Sequence, residues 1–124
     1  MERFRWVTRL ACLPLLLAAI FTATPAQHAR AAVGPPVINI TAKRFGFTPN
    51  IITLKKGETI KLRLTSEDVT HGFLVNSLNL DEVIPPGQPT EVTLTPQQKG
   101  HFTTICNHFC GAGHGNMNMT IVVE

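Results

Sequence analysis

The chain has 124 residues, a length that predicts one domain. Its formal net charge of +3 comes from the N-terminal segment, where four of the 11 basic residues lie with only one of the 8 acidic residues. From residue 32 onwards the basic and acidic residues balance, which argues against a nucleic-acid partner.

The first 31 residues have the three parts of a secretory signal peptide. Arg3, Arg5 and Arg9 form a basic start, residues 10–24 are almost wholly apolar or small, and residues 29–31 offer an A-x-A cleavage pattern. The apolar run has about 15 residues, fewer than the roughly 20 that span a bilayer. We therefore predict a Sec-type signal and a periplasmic or extracellular protein, with an uncleaved membrane anchor as the alternative. Residues 32–36 are predicted to be a linker, and residues 37–124 the domain.

The domain is predicted to be all-β, because apolar and polar residues alternate in short runs separated by turn signals. The alternation is clearest in "TIKLRLT", where Ile60, Leu62 and Leu64 share one face. Residues 46–50, 55–58 and 96–100 are predicted turns, and residues 81–89 a loop. About seven or eight strands, typical of a β-sandwich or barrel, are expected, at residues 37–45, 51–54, 59–65, 71–75, 90–95, 101–106 and 119–123.

Residues 106–117, "CNHFCGAGHGNM", hold two cysteines, two histidines and a methionine in the predicted loop between the last two strands. A Cys106–Cys110 disulfide is one interpretation, because exported proteins form disulfides. A disulfide leaves His114 and Met117 unexplained. A zinc site is a second interpretation, although methionine is not a zinc ligand.

Copper suits the whole set, because thiolate, imidazole and thioether are ligands that copper selects. A Cys-His-Met loop with an upstream histidine is the pattern of single-copper sites, and His71 in "SEDVTHGF" is the upstream candidate. The second cysteine extends that pattern. Two thiolates four residues apart are able to bridge two metal ions, each ion with its own histidine.

The segments "SEDVTHGFLV", "PPGQP" and "KGHFTTICNHFCGAGHGNM" resemble the copper-A domain of cytochrome c oxidase subunit II, over residues 37–124. The Cys-x3-Cys-x3-His-x2-Met spacing is highly specific. The resemblance implies a Greek-key cupredoxin fold and a binuclear mixed-valence copper centre with two copper ions. It also implies the roles of the ligands: Cys106 and Cys110 bridge the two ions, His71 and His114 bind one ion each, Met117 is a weak axial ligand of one, and the backbone carbonyl of His108 is a weak axial ligand of the other.

Two positions depart from the family. The family usually has Glu at the place of His108, and the nitrous oxide reductases, which share the centre, have Trp there. The family also takes electrons through an aromatic patch that contains Trp, whereas this chain has no Trp after residue 31. Phe102 and Phe109 are the candidates for replacing that aromatic contact.

Several other residues carry expectations about the surroundings of the site. Asp68, three residues before His71, is a candidate for tying the ligand loops together. His101 is expected to have a surface or structural role. The small residues around His114 are expected to let a redox partner approach its imidazole, or simply to permit the backbone angles of the loop; they are Gly111, Ala112, Gly113 and Gly115.

These features predict an exported, single-domain electron carrier that is not an enzyme. Its redox partner is expected to be a c-type cytochrome or an oxidase, with membrane contact only if the leader is retained. The alternatives are a periplasmic copper-binding or trafficking protein and an accessory component of a terminal oxidase.

Overall fold

The computed structural model describes residues 33–124, so the predicted signal peptide lies outside the described residues. Two single-turn 3-10 helices, Asn76–Leu78 and His114–Asn116, accompany the strands. No helix of the described chain is long and apolar enough to cross a membrane. The strands are β1 (Val37–Lys43), β2 (Gly46–Thr48), β3 (Ile51–Leu54), β4 (Ile60–Ser66), β5 (His71–Val75), β6 (Leu80–Ile84), β7 (Thr90–Leu94), β8 (Gly100–Ile105) and β9 (Asn118–Val123).

The strands form two sheets that pack on each other as a sandwich, which confirms the all-β prediction. One sheet has the order β2-β1-β4-β7, and the other has the order β3-β9-β8-β5-β6. Two neighbouring pairs are parallel, β1 with β4 and β3 with β9. Parallel neighbours need a crossover rather than a hairpin. The chain accordingly leaves the first sheet after β2, adds β3 to the second sheet, and returns at β4.

The described chain has nine strands, so the prediction of seven or eight was too low. The sequence predicts one strand over residues 37–45 and a turn over residues 46–50, but β2 occupies part of that predicted turn. The turn itself is at Arg44 and Phe45, because Lys43 pairs directly with Gly46. Gly46 and Pro49 are residue types that favour turns, and they concealed the three-residue strand that lies between them.

β6 lies in the first half of the predicted loop over residues 81–89, and it is the second missed strand. Side chains of a strand alternate between its two faces, so Leu80, Glu82 and Ile84 share one face of β6. Leu80 and Ile84 are buried, whereas Glu82 is only partly buried. The charged residue in the middle of this face concealed the alternation on which the prediction relied.

Apolar side chains from both sheets meet in one core. The predicted inward face of β4 is confirmed, since Ile60, Leu62 and Leu64 are all buried. Phe47 on β2 meets Phe73 on β5 edge to face, with ring centroids 5.6 Å apart. Such a pair contributes about 0.5–1.5 kcal/mol beyond the burial of its surface, so it helps to hold the two sheets together.

Replacing a core isoleucine tests this packing. Ile40→Ala removes a side chain that is 0% exposed in β1, and we expect it to lower the free energy of unfolding by about 2–5 kcal/mol. Ile51→Ala is the matched control, because Ile51 lies in a strand but is 57% exposed. Urea denaturation of the metal-free protein measures both changes. Equal losses in the two variants would contradict the assigned core.

Candidate metal centre

Three candidate ligands stand at adjoining strand ends in the second sheet. β9, β8 and β5 are neighbours and antiparallel, so the end of β8 lies beside the start of β9, and the residues that follow β8 run along the first half of β5. His71 begins β5, Cys106 follows β8, and Met117 precedes β9. Each is buried, and each is in phase with the buried residue two positions further into its strand. The alternation that builds the core therefore also directs these three side chains inward.

The rest of the motif forms the loop that joins β8 to β9. The loop is closed at its base, where the N–H of Cys106 donates to the carbonyl of Met117 over 3.1 Å. Cys110 is buried within the loop, and His114 begins the 3-10 helix that leads back to β9. All five side chains that the sequence assigned to the metal site are thus brought together.

The two cysteines and two histidines form two similar pairs. The sulfur of Cys106 lies 4.0 Å from Nδ1 of His71, and the sulfur of Cys110 lies 3.9 Å from Nδ1 of His114. The two sulfurs are 3.8 Å apart. Metal–thiolate bonds are about 2.3 Å long, so this separation lets one ion contact both sulfurs. A disulfide bond is about 2.03–2.05 Å long, and both cysteines are free thiols here.

The fifth and sixth donors each lie beside a different sulfur of the pair. The sulfur of Met117 is 3.8 Å from the sulfur of Cys110, and the carbonyl oxygen of His108 is 3.1 Å from the sulfur of Cys106. The side chain of His108 is exposed. The backbone of His108 therefore faces the site, while its imidazole faces solvent.

The protonation of the Cys110 thiol reflects its burial. Burial raises the pKa of the Cys110 thiol, and the neighbouring Cys106 thiol and Asp68 carboxylate raise it further. The metal-free Cys110 therefore favours its protonated form. A bound cation reverses this preference, because a coordinating thiol is deprotonated. Metal uptake at this site is accordingly coupled to proton release.

Asp68 ties the segment of His71 to the turn between β1 and β2, and among the described residues its carboxylate bonds to no residue of the loop that the prediction had it join to His71. Its carboxylate accepts hydrogen bonds from Nε2 of His71 at 2.7 Å, from the N–H of Val69 at 2.7 Å and from the N–H of Arg44 at 2.9 Å. Burial by itself would raise the pKa of Asp68, but the hydrogen bonds from Arg44, His71 and Val69 outweigh it and hold the pKa well below its usual range. The contact to Nε2 leaves Nδ1 of His71 directed at the sulfurs, which is the usual way to orient a metal-binding histidine.

The glycines near His114 serve a contact within the protein. A Cβ atom at Gly111 would lie 3.0 Å from the ring of Phe45, and one at Gly113 would lie 2.5 Å from the same ring. The space beside these two glycines is thus filled by Phe45 rather than left open to a partner. Gly111 also has φ of +138°, a conformation that favours glycine.

The two phenylalanines proposed as aromatic contacts have different surroundings. Phe102 is partly buried and packs against the core. Phe109 is 76% exposed, and its ring centroid is 5.8 Å from that of His114. Phe109 is therefore the one of the two that offers an exposed aromatic surface beside the site. His101 is exposed on β8, in agreement with the predicted surface role.

Gly72 and Asn107 support the site and were not foreseen. The N–H of Gly72 donates to the sulfur of Cys106 at 3.3 Å, and the side-chain amide of Asn107 donates to Asp81 at 2.9 Å. A Cβ atom at Gly72 would collide with the side-chain oxygen of Asn107 and would lie 2.7 Å from the backbone nitrogen of His108. The ligand loop therefore approaches β5 too closely for any residue larger than glycine. In the sequence, the one signal of this role is that Gly72 directly follows His71.

Comparison with known proteins agrees with the fold. Residues 13–123 match the family model of the cupredoxin-like domain. In backbone structure, the domain resembles the periplasmic domain of subunit II of cytochrome oxidase from Bradyrhizobium japonicum, with a TM-score of 0.67 and 20% identity, over 72% of this chain and 83% of that chain. The chain therefore belongs to the cupredoxin-like domain family, which confirms the predicted fold.

Sequence relatives show which cupredoxin-like domains this chain resembles. The chain is 40% identical over 104 residues to cytochrome c oxidase subunit 2 of Thermus thermophilus, which covers 82% of this chain and 76% of that protein. A second subunit 2 sequence from the same species is covered over 61% of its length. Nitrous-oxide reductase of Cupriavidus necator is 34% identical over 91 residues, which are 70% of this chain and 14% of that protein. The predicted similarity to the subunit II domain is thereby confirmed.

The tight approach at Gly72 can be tested by Gly72→Ala. We expect the added methyl group to force the ligand loop away from β5 and to lower the free energy of unfolding by about 1–3 kcal/mol, as overpacking does. Gly46→Ala is the control, since a Cβ atom at this strand glycine meets nothing within 4 Å. Urea denaturation of the metal-free variants gives the values. A Gly72→Ala variant as stable as Gly46→Ala would show that the loop is not held against β5.

Proposed function

We propose that the protein is an exported electron carrier with a binuclear, mixed-valence copper centre. The observation that carries the proposal is the pair of similar half-sites. Each cysteine sulfur has its own imidazole Nδ1 at about 4 Å, and the two sulfurs lie 3.8 Å apart. Two ions that shared the two sulfurs would each have a histidine of its own in this arrangement.

The donor set supports copper over zinc. A zinc site of two thiolates and two imidazoles would be complete without a thioether, yet the sulfur of the fully buried Met117 faces the sulfur of Cys110. Thiolate, imidazole and a weak axial thioether are the ligands of copper electron-transfer sites. The proposed roles are the following: Cys106 and Cys110 bridge two ions, His71 and His114 bind one each, and Met117 and the His108 carbonyl are weak axial ligands.

A bound copper pair would take up and release one electron, which both ions would share through the two thiolates. The protein's part is to hold the donors still and keep water out. His71, Cys106 and Met117 are fixed by the strands of a sandwich, and all three are buried. Asp68 fixes the direction of the His71 ring. Ligands that move little when an electron arrives favour fast electron transfer. A protein that delivers copper to a partner needs ligands that release the ion.

The surface beside His114 is the proposed place of electron exchange. His114 is only partly buried, and the exposed ring of Phe109 lies next to it. A c-type cytochrome or an oxidase is the proposed partner class, because relatives of this chain are oxidase subunits. Phe109 then provides the aromatic contact that a Trp provides elsewhere in the family.

Export is part of the proposal. Residues 1–31 have the composition of a Sec-type signal peptide, and the structural relative from B. japonicum is a periplasmic domain. We propose a periplasmic or extracellular location, with residues 37–124 as the functional domain and residues 32–36 as its linker.

Copper loading of the purified protein tests the proposal. We expect two copper ions per chain, an EPR spectrum with hyperfine coupling to both nuclei, and retention of both ions through repeated oxidation and reduction. Metal analysis, optical and EPR spectra measure these properties. One copper per chain with a blue-type spectrum would contradict the binuclear centre, and zinc retention without copper uptake would contradict copper. Loss of copper on cycling would favour the trafficking protein.

The role of the His108 backbone carbonyl can be tested separately from that of the His108 imidazole. His108→Ala keeps the backbone carbonyl, so we expect its copper content and spectra to match those of the unsubstituted protein. His114→Ala removes an imidazole whose Nδ1 faces Cys110, so we expect loss of the binuclear spectrum. Loss of one copper from His108→Ala would show instead that the imidazole is a ligand.

A further inference from the structure

We propose that Arg44 is a positioning residue for the metal centre, because it joins the segment that carries His71 to the loop that carries Cys110. The inference rests on the proposed copper function for its purpose, although the contacts belong to the protein alone. Arg44 lies in the two-residue turn between β1 and β2, remote in sequence from every proposed ligand. Its main chain and its side chain contact different parts of the site.

The main chain of Arg44 acts on the His71 side. Its N–H donates to Oδ2 of Asp68 at 2.9 Å, while Oδ1 of Asp68 contacts Nε2 of His71 at 2.7 Å. The carboxylate is thus fixed at both oxygens. Because His71 is completely buried, the direction of its ring depends on this carboxylate and, through it, on the position of the turn. This contact does not depend on the identity of residue 44.

The side chain of Arg44 acts on the Cys110 side. Its Nε donates to the carbonyl oxygen of Cys110 at 2.7 Å, across 66 positions of sequence. Phe45, the other residue of the turn, packs against Gly111 and Gly113 in the same loop. The turn therefore holds the loop at a carbonyl and at two glycines. The carbonyl that Arg44 holds belongs to a residue whose sulfur is one of the two proposed bridging donors.

Arginine suits this contact for a geometric reason. A guanidinium donates from Nε in a fixed plane, whereas the flexible ammonium of lysine has no donor at that place. Arg44 is exposed, so water replaces part of this bond when it breaks, and we expect its loss to change an equilibrium constant by about tenfold, which corresponds to about 1.4 kcal/mol.

Two variants test the inference. Arg44→Lys keeps the positive charge of the side chain, and Arg44→Gln removes it. We expect both variants to release copper to excess chelator about tenfold faster than the unsubstituted protein. We also expect both to change the copper–thiolate absorption bands. In the metal-free protein, amide hydrogen exchange should rise about tenfold across residues 110–117. The amide of residue 44 should stay protected, because its bond to Asp68 remains.

Lys43→Gln is the matched control. It removes a positive charge next to Arg44, from a side chain that is 68% exposed and pairs only with Glu67 among the described residues. We expect this variant to behave like the unsubstituted protein. Equal effects in Lys43→Gln and Arg44→Gln would overturn the inference, as would unchanged copper release and exchange in Arg44→Lys. Exchange that rises equally throughout the domain would indicate a loss of stability alone and would also overturn it.

The outcome for Arg44 can be distinguished from the outcome for the copper function. If the unsubstituted protein binds no copper, the proposed function fails. Amide exchange in the metal-free variants still decides whether Arg44 holds the Cys110 segment. If the unsubstituted protein binds two copper ions and the Arg44 variants match it in release and in spectra, the function stands and the inference fails.

Discussion

The candidate metal centre depends on the pairing register of three strands. β8 pairs with β9 so that Ile105 lies opposite Asn118, and it pairs with β5 so that Leu74 lies opposite Ile105. A slip of one residue would turn every side chain of a strand to the opposite face. The apolar residues of β5, β8 and β9 prevent this slip, because they would be exposed to water. The core that stabilises the fold therefore also directs three of the proposed ligands, His71, Cys106 and Met117, to one point. Asp68 then sets the direction of the His71 ring.

The loop between β8 and β9 poses a different problem, because no strand pairing fixes Cys110 or His114. The protein holds the loop from three sides. Its base is closed by the hydrogen bond from Cys106 to Met117, Asn107 bonds to Asp81, and the turn between β1 and β2 contacts its middle. These contacts come from both sheets, so movement of the loop would break contacts with each of them.

The sequence predicts the ligands far better than their supports. Local spacing and the family resemblance selected the five side chains that the fold brings together at the candidate metal centre, and alternation identified seven of the nine strands of the described chain. Asp68 was predictable because it lies three residues from His71. Arg44 was not, because its contact with Cys110 spans 66 positions and neither residue carries a local signal of the other. The contact of Gly111 and Gly113 was not predictable for the same reason, since the ring beside them belongs to Phe45. The alternative reading, that glycine permits the backbone angles of the loop, agrees with the positive φ of Gly111. Short-range patterns report what a residue is able to bind, whereas the supports depend on which turn the fold places against the loop.

His108 shows how main-chain and side-chain roles separate at such a site. Its carbonyl approaches Cys106, while its side chain is exposed. The direction of this carbonyl is set by the short span between two buried cysteines, so the backbone contact does not require any particular side chain. Gly72 is the opposite case, because there the absence of a side chain is what the loop requires. We therefore expect a substitution at residue 108 to alter the solvent-facing surface of the domain and to leave the proposed donor set intact. The departure from Glu at this position concerns what the domain contacts on its outside, and the spacing of the cysteines concerns what it binds.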